Sequence, residues 1–152
     1  MGLFLDGNGI PLAFDLTPGN TNEQKTLLPL EKRIMRDFEL SKLVVCTDAG
    51  LSSKTNRSFN SFANRAYVTV QSLKKLKQHL KDWALDPQAW HLNGSSTVFN
   101  LNDIDLEDNT AVYTKERWIH ENGLEERLNI SFSPKIKRNQ ETIRGRQIER
   151  DC

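Results

Sequence analysis

The sequence predicts a protein of the α/β class. Over residues 3–85, strand-like and helix-like segments alternate in the order β-β-α-β-α-β-α, a succession typical of that class. The first two strands are joined by Asp-Gly-Asn-Gly at positions 6–9, a strong signal for a β-hairpin turn. After Asp86 and Pro87 the chain becomes rich in Asn, Asp and Ser, which indicates a second region of different character.

The first strands and the first helix follow from apolar runs and their spacing. Apolar residues predict strands at 1–6 and 10–16. A helix is predicted from about Thr21 to Glu39, because a Thr-x-x-Gln capping box precedes apolar residues at helical intervals. Pro29 is tolerated there only within the first turns or as a kink.

Shorter patterns predict the remaining elements. Runs of β-branched residues predict strands at 42–47 and 66–70, and helices are predicted at 52–64 and from Ser72 to before Pro87. Further strands are predicted at 97–99, 111–113 and 127–132, the last two around a Glu-Asn-Gly turn at 121–123. We therefore divide the chain into an α/β core (1–86), a β-rich region (87–134) and a charged C-terminal helix (135–152).

Composition excludes several classes of function. Lys and Arg number 21 against 20 Asp and Glu, so the net charge of +1 gives the whole molecule no general preference for nucleic acid or membranes. No apolar run approaches the roughly 20 residues that cross a bilayer. Cys46 and Cys152 have no metal-ligand spacing and are not expected to form a disulfide, which favours a cytoplasmic protein. Phosphate-loop, nucleophile-elbow and zinc-protease motifs do not occur in the sequence.

Asp48 is the main candidate for chemistry. In Lys-Leu-Val-Val-Cys-Thr-Asp-Ala-Gly-Leu-Ser-Ser, residues 42–53, an apolar strand runs directly into Asp48 and turns at Gly50. Functional groups gather at the carboxyl ends of strands in open α/β sheets, and a carboxylate there suits a hard cation such as Mg²⁺. The alternative is that Asp48 caps the helix beginning near Ser52 or orders the turn.

Three segments resemble the catalytic region of bacterial insertion-sequence transposases of the DDE type. They are GLFLDGNGIPLAFDLTPGNTNEQKTLLPLEK, VVCTDAGLSS and LNISFSPKIKRNQETIRGRQIER. The resemblance is to the subgroup whose ribonuclease H-like core carries a β-rich insertion. It implies an incomplete ribonuclease H-like mixed sheet with flanking helices, then a small β-rich insertion and a terminal charged helix. It also implies that the chain is an internal fragment of a bacterial, cytoplasmic DNA transposase.

In that family, two Asp and one Glu hold two metal ions, Mg²⁺ or Mn²⁺, that promote cleavage and transfer of DNA strands. The resemblance makes Asp48 the second of these acids, both catalytic and metal-binding. The first and third are expected before Met1 and after Cys152, so this chain alone should lack activity. Four other acids are better explained as a turn residue, an outward strand residue and two solvated helix residues: Asp6, Asp15, Glu141 and Glu149.

DNA is the partner that the resemblance implies, with a homo-oligomer as a further expectation. The predicted phosphate contacts flank the Asp48 site and follow it in the sequence: Lys54, Arg57 and Arg65. Five more cations crowd the last helix and allow the same use or a solvated surface: Lys135, Lys137, Arg138, Arg144 and Arg146. Trp83, Trp90 and Trp118 allow either base stacking or packing.

Two other functions remain open. One is a non-catalytic, truncated transposase remnant that binds DNA or a partner subunit. The other is a phosphotransfer enzyme or phosphatase with Asp48 as nucleophile, although the second acid two residues away that such enzymes need is missing here.

Overall fold

The computed structural model describes residues 2–151, which form a mixed α/β structure with four α-helices and three small open sheets. The predicted α/β class is confirmed at this level, while the ribonuclease H-like assignment stays a prediction. The strands are β1 (Gly2–Leu5), β2 (Pro11–Asp15), β3 (Leu43–Thr47), β4 (Arg65–Thr69), β5 (Trp90–Leu92), β6 (Val98–Phe99), β7 (Tyr113–Glu121) and β8 (Leu124–Phe132). The helices are α1 (Leu27–Asp37), α2 (Lys54–Asn60), α3 (Gln78–Leu85) and α4 (Pro134–Asp151).

The chain divides after Leu76 into two compact units. The first contains β1 to β4 with α1 and α2, and the second contains α3, β5 to β8 and α4. The division that the sequence suggested after residue 86 stays a prediction, and α3 lies in the second unit. No helix within residues 2–151 has the length and hydrophobicity needed to cross a membrane.

The first unit opens with the predicted hairpin of β1 and β2, in which Leu3 pairs with Phe14. Its turn is organised by Asp6, whose Oδ1 accepts hydrogen bonds from the backbone N–H groups of Asn8 and Ile10, each at 2.8 Å. These hydrogen bonds lower the pKa of Asp6 from its usual value, because they favour the charged form. Asp6 is therefore a turn residue.

Helix α1 begins later than the sequence predicted. Asn22, rather than Thr21, accepts a side-chain hydrogen bond from the backbone of Gln24, and a short 3₁₀ turn precedes α1. Pro29 is then the third residue of the helix, where its missing N–H costs nothing. The buried stripe of α1 has the expected helical spacing and consists of Leu27, Leu30, Glu31 and Ile34.

Strands β3 and β4 pair in parallel but are covered on one face only. Leu43 and Val45 are buried, whereas Val44 and Val68 are 65% and 63% exposed. Helix α2 packs on β4 and contacts α1, so both helices shield the same side. The uniformly apolar composition of β3 therefore does not reflect burial on both faces, and Cys46 is exposed. Cys152 lies outside the described residues.

The second unit is built on an antiparallel sheet in the order β6-β5-β7-β8. Its core is Trp90, Ala111 and Tyr113, with Trp90 edge-on to Phe132 at 6.4 Å between ring centroids. Asn122 and Gly123 both have positive φ, as the tight turn between β7 and β8 requires. Strand β7 extends well beyond the predicted 111–113.

Lys115, on β7, forms hydrogen bonds with the segment that follows α3. Its side chain is 4% exposed, and its Nζ donates hydrogen bonds to the carbonyl oxygens of Asp86 (3.1 Å) and Gln88 (3.0 Å). The same Nζ lies 5.2 Å from the centroid of the Trp83 ring, within cation–π range. Trp90 Nε1 also donates to the Asp86 carbonyl, at 2.9 Å.

Candidate functional site

Asp48 lies where the parallel pair of β3 and β4 ends. It follows Thr47, the last residue of β3, which is paired in register with Thr69, the last residue of β4. Thr47 Oγ1 donates to Thr69 Oγ1 at 3.0 Å, and Thr69 Oγ1 donates to the backbone oxygen of Asp48 at 3.1 Å. This pair of hydroxyl groups therefore fixes the backbone that carries the carboxylate.

The carboxylate of Asp48 is also oriented by the turn that follows. Its Oδ1 accepts hydrogen bonds from the backbone N–H groups of Gly50 (2.9 Å) and Leu51 (3.3 Å). Asp48 thereby caps a short 3₁₀ helix at Ala49–Leu51, while Ser53 caps α2 separately. The turn-ordering role weighed for Asp48 is thus observed. Because both hydrogen bonds fall on Oδ1, this role is compatible with a ligand on Oδ2.

Glycine at position 50 is favoured by the close approach of the Asp48 carboxylate rather than by its own backbone angles. A Cβ at this position would lie 3.2 Å from Asp48 Oδ1, closer than ordinary van der Waals contact, and its φ is not in the left-handed region. The Asp-Ala-Gly sequence therefore allows the acid to fold back over the turn.

Of the three predicted DNA contacts, Lys54 and Arg57 lie one turn apart on α2, whereas Arg65 lies away from them. Lys54 is the exposed first residue of α2. Arg57, one turn later, is half-buried and lines a small cavity with Thr47 and Thr69. These two threonines are at the carboxyl ends of β3 and β4, next to Asp48.

Arg65 begins β4 and is paired with Leu43. It therefore lies at the other end of the strand pair, about 13 Å along the strand from Thr69. Its Nε donates to the Phe59 carbonyl at 2.8 Å, and its guanidinium carbon is 4.0 Å from the Phe59 ring centroid. A DNA-binding role for Arg65 stays a prediction, and these contacts already give it a structural one.

Within residues 2–151, no three or more His, Cys, Asp or Glu side chains are grouped closely enough to hold a metal ion, around Asp48 or elsewhere. Asp15 ends β2 and is half-buried, while Phe14 is the outward residue, contrary to the predicted alternation. Glu141 and Glu149 lie on the exposed surface of α4. One carboxylate does not make a two-metal site, so the described residues do not by themselves fit such a site.

Glu31 is a buried acid that the sequence reading missed. Its side chain is fully buried, and Asn60 Nδ2 donates to both of its carboxylate oxygens, at 2.9 and 3.1 Å. Burial raises the pKa of Glu31, and the Asn60 hydrogen bonds and the charge of Arg65 oppose that shift. The signal was present, because Glu31 is four residues after Leu27 on the apolar stripe.

The three tryptophans have different surroundings. Trp90 is a core residue, and Trp83 is half-buried against the cations of Lys115 and Arg117. Trp118 is 59% exposed and is paired in register with Arg127. Of the three, Trp118 is the one whose ring is available for stacking.

Comparison of the chain with family models, with curated protein sequences and with solved structures gave no match.

Proposed function

We propose that this chain is part of the catalytic domain of a DDE-type DNA transposase and that Asp48 is one of the three metal-binding acids. The observation that carries the proposal is the position of Asp48, exposed at the carboxyl end of a parallel strand. Carboxyl ends of strands are where α/β folds assemble their ligand sites.

The residues around Asp48 support a fixed rather than a mobile carboxylate. Thr47 and Thr69 hold its backbone, and the N–H groups of Gly50 and Leu51 hold Oδ1. A ligand held in advance binds a cation without the entropy cost of ordering a free side chain. Two bound Mg²⁺ or Mn²⁺ ions would supply activation of a water or 3′-hydroxyl and stabilisation of the leaving oxygen in the complete enzyme.

The two strand pairs of the first unit support a ribonuclease H-like core with a strand still to be added. Strands β1 and β2 form one sheet and β3 and β4 another, with no hydrogen-bonded ladder between the pairs in residues 2–151. Free strand edges recruit additional strands. In the proposed complete domain, a strand bearing the first acid would lie between β1 and β3 and join both pairs into one mixed sheet.

A non-catalytic role is the second candidate. The described residues contain no group of three metal-ligating side chains, and an exposed apolar sheet face includes Val44 and Val68. A remnant that binds DNA or pairs with an intact transposase subunit would use the same fold without cleaving DNA.

A nicking assay tests the proposal on the chain as it stands. Residues 1–152 should not cleave supercoiled or element-end DNA with Mg²⁺ or Mn²⁺, because two-metal catalysis needs further acids. Divalent-ion-dependent cleavage by this chain alone would show that the assignment of the other two acids is wrong. Catalysis restored by a longer gene product that supplies them would favour the enzyme over the remnant.

A further inference from the structure

Helix α4 is an exposed, charged helix that the proposed catalytic site does not use. Every side chain from Asn139 to Glu149 is exposed. Its two isoleucines nearest the start, Ile136 and Ile143, are 60% and 47% exposed. Helices in proteins gain most of their stability from packing one face against other elements rather than from propensity, so a helix with this exposed surface is expected to gain a partner.

The charges of α4 are segregated around its axis. At about 100° per residue, Ile136, Gln140, Ile143 and Gln147 form one line, which we call the Ile–Gln strip. The strip is flanked on both sides by cations, and both acids among residues 135–149 fall on the other half of the helix. The flanking cations are Lys135 and Arg146 on one side and Lys137 and Arg144 on the other, and the acids are Glu141 and Glu149.

The strip points away from the rest of its unit. Arg138 donates hydrogen bonds to the Leu106 carbonyl and to the side chains of Glu107 and Asn109. On the helical projection Arg138 lies roughly 170° from the middle of the strip. The Arg138 contacts that anchor α4 therefore leave the cationic half of the helix facing solvent.

We propose that this half of α4 binds duplex DNA, with the Ile–Gln strip towards the major groove and the flanking cations on the phosphates. The major groove of B-DNA admits an α-helix, glutamine amides pair with adenine and apolar groups contact the thymine methyl. A-form RNA has a major groove too narrow and deep for this. The strip has amides in place of the Trp, Phe and Leu of a membrane-surface helix.

The proposal extends the proposed function, since it assigns a DNA-binding element outside the Asp48 site, but it needs neither Asp48 nor a metal ion. An experiment can therefore refute DNA binding by α4 without refuting the role of Asp48, and the reverse. DNA binding by an Asp48→Asn chain in EDTA should equal that of the original chain.

The test is fluorescence anisotropy of a labelled 20-base-pair duplex over a series of KCl concentrations. Replacing Lys137 and Arg144 by Gln should lower affinity roughly tenfold at 100 mM salt and reduce the slope of log K against log salt by about 2. The matched control replaces Lys74 and Lys75 by Gln, an exposed pair with the same change of net charge, and should leave slope and affinity near those of the original chain.

Circular dichroism and thermal unfolding of both variants establish that they fold. Equal affinities for the two double variants would overturn the proposal, because net charge alone would then explain binding. Equally strong binding to duplex RNA or to phosphatidylserine vesicles would overturn the choice of duplex DNA as partner.

Discussion

At the scale of single residues, two acids show how environment decides what a carboxylate does. Asp48 is exposed and held by backbone N–H groups at a strand end. Glu31 is fully buried and is held by one amide. The first arrangement favours a ligand-binding role, and the second joins α1 to the last residue of α2. Asp48 could be predicted as a site residue because a polar residue ends an apolar run there. Glu31 was not predicted because it lies within the apolar stripe of a helix, where its burial could be inferred only from its spacing.

Replacing Glu31 by Gln should change the pH dependence of stability. Because burial raises the pKa of Glu31 above its ordinary value of 4.5, the folded state retains a proton that the unfolded state releases. The contribution of this group to stability is full below pH 4.5 and is lost as pH rises through the raised pKa. Gln has no charge to desolvate and keeps one oxygen that can accept from Asn60, so the variant should be more stable than the original at pH 8, by about 1.4 kcal/mol for each unit by which the pKa is raised.

Urea unfolding at several pH values measures this effect. The difference between the two proteins should shrink as pH falls towards 4.5, while the exposed Glu141→Gln control should show no such trend. A Glu31→Gln protein that is less stable at pH 8 would mean that the attraction to Arg65 and Asn60 outweighs desolvation.

At the scale of elements, the local signals that predicted the fold were a hairpin turn and runs of β-branched residues. The Asp-Gly-Asn-Gly turn predicted the hairpin of β1 and β2, and the bounds of β3 and β4 were predicted to within one residue. Strand β5 was missed because three residues carry no period. The predicted strand was shorter than β7 because charged residues in β7 are typical of a loop. Pairing with β8 nevertheless keeps these residues in the strand.

Lys115 adds side-chain hydrogen bonds between β7 and the 86–90 segment, beside the backbone pairing of β5 with β7. Lys115→Met would keep the aliphatic stem but remove the hydrogen bonds to the carbonyls of Asp86 and Gln88. Asp86 would retain its bond from Trp90, whereas Gln88 would lose the Lys115 donor. We expect a loss of about 1–3 kcal/mol, measured by urea unfolding followed through tryptophan fluorescence. Lys135→Met, at an exposed position, is the control, and equal stability of the two variants would contradict this account.

At the scale of the whole molecule, the two compact units should unfold as two units. All three tryptophans, Trp83, Trp90 and Trp118, belong to the second unit, so their fluorescence reports on that unit alone. A polypeptide of residues 77–152 should show the same fluorescence transition as the full chain. Far-UV circular dichroism of the full chain should include a further change from the first unit.

The first unit carries the features that sequence patterns could not settle. Val44 and Val68 had the composition of buried strand residues, but nothing in the sequence states which elements cover them. Whether the β1–β2 pair and the β3–β4 pair join into one sheet likewise depends on which strands lie next to them. A single coincident transition for fluorescence and circular dichroism would contradict the division into two units.

The most direct test of the central claim is strand cleavage by a complete transposase that contains this segment, with Asp48 replaced by Asn. Asn still caps the turn, so folding and DNA binding should persist, while loss of the charged ligand should lower metal-dependent cleavage at least about a hundredfold. Asp6→Asn, which changes a turn-capping acid in the same way, should cleave normally. Undiminished cleavage by the Asp48→Asn enzyme would contradict the assignment of Asp48 to catalysis.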